Sequence, residues 1–170
     1  FAGPLIATNL ADMGAEVIKI EHPKGDVVRG LGRGDNSLWW SVVARNKKLV
    51  GVDVKKPEGA DVVRRLLATA DVFIENFRPG RVKEWGLDYD TLRALNPGLV
   101  MIHVSGYGQT GPYSERPGVG TLAEAFSGYA HVTGEADGPP TLPSFPLADG
   151  VAALTGTYAA LAALWARDRN

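Results

Sequence analysis

Apolar positions in the first part of the chain follow a helical period and then an extended one. Between positions 5 and 13 they recur at the spacing of one helix face, and Gly14 is the residue expected to end that helix. Residues 16–20 follow as a short strand. Residues 24–37 combine Gly, Asp and Arg without an apolar period, which predicts a surface loop.

The alternation continues through the middle of the chain. Pro57 is placed to begin a helix, and its expected buried stripe is Val62, Val63, Leu66, Leu67 and Ala70. Residues 72–74 predict a strand and residues 89–95 a short helix. Residues 99–104 are nearly all apolar, which is typical of a strand buried on both faces. The pattern predicts an α/β fold with a mainly parallel sheet flanked by helices.

The character of the sequence changes after Gly106. Residues 106–112 predict a glycine-rich loop, residues 121–130 a helix, and residues 137–140 a turn. A last helix is expected to begin near Gly150. We interpret its apolar run, residues 151–165, as a buried helix, because it is shorter than the roughly 20 apolar residues of a membrane span.

The composition narrows the classes of function. The chain has 170 residues, with 45% apolar and 22% charged residues, which suits one soluble globular domain. A net charge of -1 argues against general attraction to nucleic acids or anionic membranes. There is no cysteine, which suits the cytoplasm, and the three histidines lack ligand spacing, so no metal site is expected.

Three common signatures do not fit. Gly30, Gly32 and Gly34 have the composition of a dinucleotide-binding fingerprint, but they follow a polar loop instead of a strand. His103 stands two positions before Ser105, where a nucleophile elbow requires glycine. The sequence also lacks the Gly-Lys-Ser/Thr of a phosphate-binding loop.

Residues 75–80 (ENFRPG) follow a predicted strand at the end where α/β sheets bind ligands. Arg78 could meet phosphates, Asn76 could donate a hydrogen bond, and Phe77 offers a flat apolar face. The same residues also suit an ordinary turn with a solvated arginine. Lys55 is a second possible phosphate ligand, although the lysines at positions 47, 48, 55 and 56 are expected to form a solvated cluster.

Asp149 lies between an apolar loop and the last predicted helix. Aspartate is a preferred N-cap residue, which gives it a purely structural explanation. The same position also suits a nucleophilic carboxylate, because a helix N-terminus favours negative charge and offers N–H groups to a developing oxyanion. The residues alone leave both roles open.

Taken together, these motifs resemble the family III CoA transferases, which include formyl-CoA and carnitine CoA transferases and the related α-methylacyl-CoA racemases. The resemblance covers the whole chain. It rests on residues 2–4, 10–21 (LADMGAEVIKIE), 45–48, 57–59, 75–80, 95–97, 106–112 (GYGQTGP) and 147–150 (LADG).

The resemblance implies an enzyme that moves CoA between an acyl-CoA donor and a small carboxylic acid. Asp149 would be the nucleophile and would carry an aspartyl-CoA thioester. The family's CoA contacts fall here on His22, Val52, Lys55, Asn76, Phe77 and Arg78. CoA is then a substrate moiety, and no tightly bound cofactor or metal is implied.

Two positions depart from the family pattern. His22 stands where an arginine is usual, which would make its phosphate contact depend on pH. Glu84 stands where some members have a basic residue, so phosphate binding is expected to depend on Arg78, Arg81 and Lys83.

Two alternatives have lower rank. A racemase of the same superfamily needs a histidine about thirty positions before the aspartate, and the aligned residue here is Val119, which cannot transfer protons. A non-catalytic CoA-binding module is the other alternative.

The resemblance also implies what surrounds residues 1–170. They correspond to part of a large Rossmann-like CoA-binding domain whose first strand precedes Phe1. A second domain outside residues 1–170 is also implied, and the whole would form an interlocked homodimer in the cytoplasm. No nucleic acid or membrane partner is expected.

Overall fold

The computed structural model describes residues 1–32 and 37–169, in which four strands are interspersed with helices and only helices follow the last strand. The strands are β1 (Val17–Glu21), β2 (Lys47–Gly51), β3 (Val72–Glu75) and β4 (Val100–His103). The helices are α1 (Ala2–Asp12), α2 (Leu38–Ala44), α3 (Pro57–Leu67), α4 (Arg81–Glu84), α5 (Tyr89–Leu95), α6 (Gly120–Phe126), α7 (Tyr129–Val132) and α8 (Leu147–Arg167), and a 3-10 turn covers Val27–Gly30. Gly34 and the rest of positions 33–36 of the predicted loop lie outside the described residues.

Both strand pairs are parallel, as predicted. β1 pairs with β2, from Val17 opposite Lys47 onward, and β3 pairs with β4, from Val72 opposite Val100 onward. In the described residues these pairs form two separate sheets, where a single sheet was expected. Helix α1 contacts both β1 and β3 and so connects the two sheets. Each pair presents the C-terminal ends of its strands at one edge.

Helices α1 and α8 pack closely on each other. Ile6 and Leu10 of α1 meet Ala153 and Ala160 of α8, and Ile6 is fully buried. The contact is close because α8 offers small residues on this face. A Cβ added to Gly156 would overlap the Cδ1 atom of Ile6. The position of α1 therefore depends directly on the packing of α8.

A second core lies around α3, α4 and α5. Val63 and Leu67 of α3 pack with Leu92 of α5 and with Leu99. Val62, which was predicted to belong to the buried stripe, is 39% exposed, because the buried face of α3 runs through positions 60, 63 and 67. Strand β4 is half-buried, whereas a strand covered on both faces was expected.

The C-terminal third differs most from the expected pattern. The helix predicted for residues 121–130 is divided into α6 and α7 by Gly128, whose φ is +83°. The last helix begins at Leu147, three residues before Gly150. Its face away from α1 exposes large apolar side chains, so α8 is only partly the buried helix that was predicted. These side chains are Val151, Leu154, Tyr158, Leu161 and Trp165.

Helix α8 is also longer than predicted. With 21 residues it is long and apolar enough to cross a membrane, which corrects the expectation that no segment reaches that length. Length and composition alone are weak indications, since core helices of soluble proteins share them. Ala153 and Ala160 of α8 pack against α1, but only 17% of the apolar window of the helix is buried.

Candidate active site

Asp149 lies in the first turn of α8, and its carboxylate faces the N-terminal end of α1. Its Oδ1 atom accepts a hydrogen bond from the backbone N–H of Ala2 at 3.1 Å. The backbone nitrogen of Phe1 lies 3.8 Å from the same oxygen. The Asp149 side chain is 23% exposed, so the carboxylate is partly shielded but still accessible.

Asp149 caps a helix, but that helix is α1 and not α8. Asp149 is not the N-cap of the last helix, which was one of the two roles left open by the sequence, because α8 begins at Leu147 after Pro146 and already includes Asp149 in its first turn. The N-cap residue of α1, Phe1, provides no side-chain hydrogen bond, and Asp149 satisfies an N–H group there. The positive end of the α1 dipole attracts the negative charge of the carboxylate.

Helix α6 contacts the same turn of α8. Glu124, which is 6% exposed, accepts a hydrogen bond from the backbone N–H of Ala148 at 3.0 Å. Gly120 lies one turn earlier on α6, and a Cβ added there would overlap Oδ2 of Asp149 and lie 3.5 Å from Cβ of Ala148. One helix therefore borders both the carboxylate of Asp149 and the peptide that precedes it.

A buried carboxylate holds the loop that follows β3. Oε2 of Glu75 accepts a hydrogen bond from the backbone N–H of Phe77 at 2.8 Å, and Oε1 lies 2.5 Å from Nδ1 of His103. Glu75 is 5% exposed, and it is the register partner of His103 in the β3–β4 pair. Asn76, Phe77 and Arg78 follow with exposed side chains.

The first turn of α1 touches both this loop and Asp149. A Cβ added to Gly3 would lie 3.1 Å from Oδ1 of Asn76, so the loop approaches the α1 backbone closely. The neighbouring residue, Ala2, donates to Asp149. The structure therefore brings Asn76 and Asp149 to the same helix end, although they are far apart in sequence.

The other predicted CoA contacts lie at the edge of the β1–β2 sheet. His22 follows β1, and its Nε2 atom lies 3.9 Å from Oδ2 of Asp53. The backbone N–H of Val52 donates to the carbonyl of Glu21 at 2.8 Å, and Lys55 is exposed. The six predicted residues thus form two groups, one at the C-terminal edge of each sheet.

The basic residues near the loop after β3 differ in whether they form ion pairs within the protein. Arg81 pairs with Glu84 at 2.7 Å, and both side chains are more than half exposed. Within the ranges that the structure describes, Arg78 and Lys83 form no ion pair. Arg81 is therefore less available to a phosphate than the sequence suggests.

Lys47 is not part of a solvated lysine cluster, and that expectation is wrong. Its Nζ atom donates to the carbonyls of Pro4 and Val43, each at 2.6 Å. Burial, with the nearby charge of Lys19 as a smaller cause, lowers the pKa of Lys47 to about 8. Lys48, by contrast, is exposed and pairs with Glu16 at 3.1 Å.

A groove of about 740 Å³ runs between β4, α6 and α8. His103 and Ser105 lie at its β4 side, and Ile102 and Val151 contribute apolar wall. The hydroxyl of Ser105 is buried and has no hydrogen-bond partner in the described part of the chain. Asp149 is not among the residues that line the groove.

Sequence reasoning missed the pairing of Glu75 with His103 and the contact of Glu124 with α8. The first had a usable signal, because both residues come at the ends of strands predicted to be parallel. The contact of Glu124 with α8 had no such signal in the sequence, since it depends on how α6 packs against α8. In residues 1–32 and 37–169, no three His, Asp or Glu side chains are close enough to hold a metal ion.

Comparison with known proteins identifies the family. The model of CoA-transferase family III matches residues 1–170. The chain belongs to CoA-transferase family III. Among its relatives, succinyl-CoA–D-citramalate CoA-transferase of Chloroflexus aurantiacus is 49% identical over 99% of this chain and 43% of the relative. The mouse succinyl-CoA:glutarate CoA-transferase is 41% identical over 99% of this chain and 40% of its own length.

Solved structures agree with this family III assignment. A CaiB/BaiF family protein from Brucella suis superimposes with a TM-score of 0.95 at 38% identity, covering 99% of this chain and 46% of that one. A hypothetical protein from Mycobacterium tuberculosis gives a TM-score of 0.92 at 37% identity, covering 99% and 48%. The chain spans less than half the length of the family III relatives it matches.

Proposed function

We propose that the protein transfers CoA from an acyl-CoA donor to a carboxylic acid through an aspartyl-CoA thioester on Asp149. The observation that carries this proposal is the position of the carboxylate. It is partly exposed, it is held at 3.1 Å by the N–H of Ala2, and it shares the α1 end with Asn76. Covalent catalysis requires such an ionised and positioned carboxylate.

The proposed reaction begins when the Asp149 carboxylate attacks the thioester carbonyl of the donor. The C–S bond breaks, CoA leaves as a thiolate, and a mixed anhydride forms. The thiolate then attacks the aspartyl carbonyl, which releases the donor acid and leaves the aspartyl-CoA thioester. The acceptor carboxylate repeats these steps in reverse order, so acyl-CoA product forms and Asp149 is regenerated.

The N-terminus of α1 has a specific part in these steps. Each attack on the aspartyl carbonyl places negative charge on a carboxyl oxygen of Asp149. The N–H of Ala2 points at Oδ1 in the resting state and is therefore already oriented to stabilise that charge.

We assign CoA binding to His22, Val52, Lys55, Asn76, Phe77 and Arg78. Lys55 and Arg78 are exposed cations at the two sheet edges, as phosphate ligands require. Phe77 is 47% exposed and offers a face for an apolar part of CoA. CoA enters as a substrate and not as a bound cofactor.

The names of the relatives guide the choice of substrates. They are transferases of succinyl-CoA with D-citramalate, L-malate or glutarate, all short dicarboxylic acids. We propose succinyl-CoA as the donor and a short dicarboxylic acid as the acceptor. A panel of acyl-CoA donors and free acids, with monocarboxylic acids of equal length as controls, tests this choice.

Racemisation is the second candidate, and the site disfavours it. Val119 is the residue aligned with the histidine of the racemases, and it directly precedes Gly120, whose Cα borders Asp149. Valine cannot carry a proton, whereas racemisation needs two groups that exchange protons. A non-catalytic CoA-binding module is distinguished by CoA binding without any covalent adduct.

The decisive test is Asp149→Asn in the full-length enzyme. Asparagine keeps the shape and can accept the hydrogen bond from Ala2, so folding is retained while the nucleophile is lost. Transfer should fall by several orders of magnitude. Hydroxylamine added after acyl-CoA should modify Asp149 in the wild type, as measured by peptide mass spectrometry.

Asp137→Asn is the matched control, because Asp137 is exposed in a loop and should be dispensable. Near-normal turnover by folded Asp149→Asn protein, verified to be free of deamidation, would contradict the proposal. Glu124 would then be the next candidate.

We also propose that residues 1–170 belong to a cytoplasmic homodimer with a second domain. A strand before Phe1 would join the two sheets, which fits the contacts of α1 with both β1 and β3. The exposed apolar face of α8 needs a covering surface. Light scattering of the full-length protein should give twice the chain mass, and a monomer would contradict this assembly.

A further inference from the structure

We propose that α6 positions the nucleophile, with Glu124 as a positioning residue and Gly120 as the residue that leaves space for the carboxylate. This inference rests on the proposed role of Asp149. In this inference Glu124 is not an alternative nucleophile. It acts through the backbone of α8 and does not contact substrate.

Glu124 provides the cap that the sequence of α8 lacks. The residue before the helix is Pro146, which gives no side-chain hydrogen bond to the first turn. The first N–H groups of a helix need partners from elsewhere. Glu124 reaches across from α6 and accepts from the N–H of Ala148 at 3.0 Å. At 6% exposure, this carboxylate requires such a partner.

The hydrogen bond acts one residue away from the proposed chemistry. Ala148 directly precedes Asp149, so the peptide that Glu124 holds sets the Cα position and side-chain direction of Asp149. Attack on a thioester depends on the alignment of the reacting atoms, and a displacement of about 1 Å can reduce a rate by roughly 100-fold.

Gly120 completes the same face of α6, four positions before Glu124. A Cβ there would overlap Oδ2 of Asp149, so the carboxylate lies directly against the α6 backbone. Oδ1 is engaged by Ala2, and Oδ2 accepts no hydrogen bond from any residue that the structure describes. This leaves Oδ2 as the attacking oxygen, bordered by Gly120.

The experiment compares Glu124→Ala, Glu124→Gln and Gly120→Ala in the full-length enzyme. Glu124→Ala removes the cap and should lower kcat at least ~10-fold, with less than about twofold change in KM for acyl-CoA. Glu124→Gln keeps an acceptor oxygen and should stay within about threefold of wild type. Gly120→Ala should lower kcat while leaving the melting temperature nearly unchanged.

Asp88→Ala is the control for a lost cap. Asp88 caps α5 by accepting from the N–H of Thr91 at 3.2 Å, away from Asp149. The Asp88→Ala variant should have a lower melting temperature but an unchanged kcat per folded protein. Circular dichroism gives the folded fraction of each variant. If Glu124→Ala does not fold, a wild-type kcat in Gly120→Ala is sufficient to overturn the positioning role.

The outcomes separate this inference from the proposed function. Wild-type kcat in both Glu124→Ala and Gly120→Ala, with Asp149→Asn inactive, overturns the positioning role alone. A Glu124→Gln loss as large as that of Glu124→Ala overturns the hydrogen-bond explanation. Full turnover by Asp149→Asn overturns both proposals.

Discussion

Glu75 and His103 face each other at the ends of neighbouring parallel strands, with Oε1 of Glu75 2.5 Å from Nδ1 of His103. The second oxygen of the same carboxylate accepts the N–H of Phe77 at 2.8 Å. Glu75 therefore connects β4 to the loop that we propose binds CoA.

Replacing Glu75 by leucine should weaken both folding and CoA binding. Leucine satisfies neither the Phe77 N–H nor His103, which are partly buried, and a fully buried group left without a partner costs about 1–3 kcal/mol, which is the upper bound for each. Urea unfolding and calorimetric titration with CoA measure the two effects. Glu135→Leu is the control, because Glu135 is exposed in the turn after α7 and should change stability by less than about 0.5 kcal/mol. Equal effects of the two variants would contradict this role for Glu75.

Arg78→Ala should reduce CoA affinity about tenfold at low salt, since it removes a charged contact to phosphate. The loss should shrink as salt is raised from ~50 to ~500 mM, because ions screen an exposed charge. Calorimetry of the full-length enzyme measures both values. Arg93→Ala, an exposed arginine on α5, is the control. An unchanged dissociation constant at low salt rejects the phosphate contact.

Lys47 should make stability rise with pH above neutrality. Its pKa is about 8 in the folded protein against an ordinary 10.5, so the unfolded chain binds more protons between these values. The free energy of unfolding therefore increases through this window as the buried amine becomes neutral.

Urea titrations of wild type and Lys47→Met at several pH values measure this increase. The free energy of unfolding of wild type, relative to that of Lys47→Met, should rise with pH. The matched variant is Lys48→Met, whose lysine is 68% exposed and whose difference from wild type should stay nearly constant. A pH-independent difference for Lys47→Met would show that the amine is not desolvated.

Alanine substitutions at two glycines of α8 should change the stability of the protein in opposite directions. Gly156→Ala places a methyl group against fully buried Ile6, and overpacking of this kind costs about 1–3 kcal/mol. Gly150→Ala meets no atom within 4 Å and should gain up to ~1 kcal/mol of helix propensity. Thermal unfolding of both variants tests the close α1–α8 contact, and a neutral Gly156→Ala would argue against it.

Local signals in the sequence were sufficient for most of the fold. The helix predicted for residues 89–95 matches α5, Pro57 begins α3, and residues 17–20 and 72–74 are parallel strands. Each depends on a period or a terminating residue within a few positions. The family was also recognised correctly from its motifs.

Contacts between distant residues could not be predicted in the same way. The start of α8 was placed too late because its cap, Glu124, lies 24 positions from Ala148. The cap of α1 is Asp149, 147 positions from Ala2. Lys47 looked solvated because one of the two carbonyls that accept from its amine belongs to Pro4, 43 positions away in the sequence. The catalytic and CoA-binding roles of the named residues stay predictions.

The first turn of α1 touches both Asn76 and Asp149, and the rest of the helix is held by Ile6 and Leu10 against α8. In a deep mutational scan, substitutions at these two core positions should therefore resemble active-site variants, with affinity and turnover declining together. Core residues of α1 and residues of the proposed active site would then show the same low tolerance to substitution. Mutational tolerance alone would therefore not identify the residues that take part in the reaction.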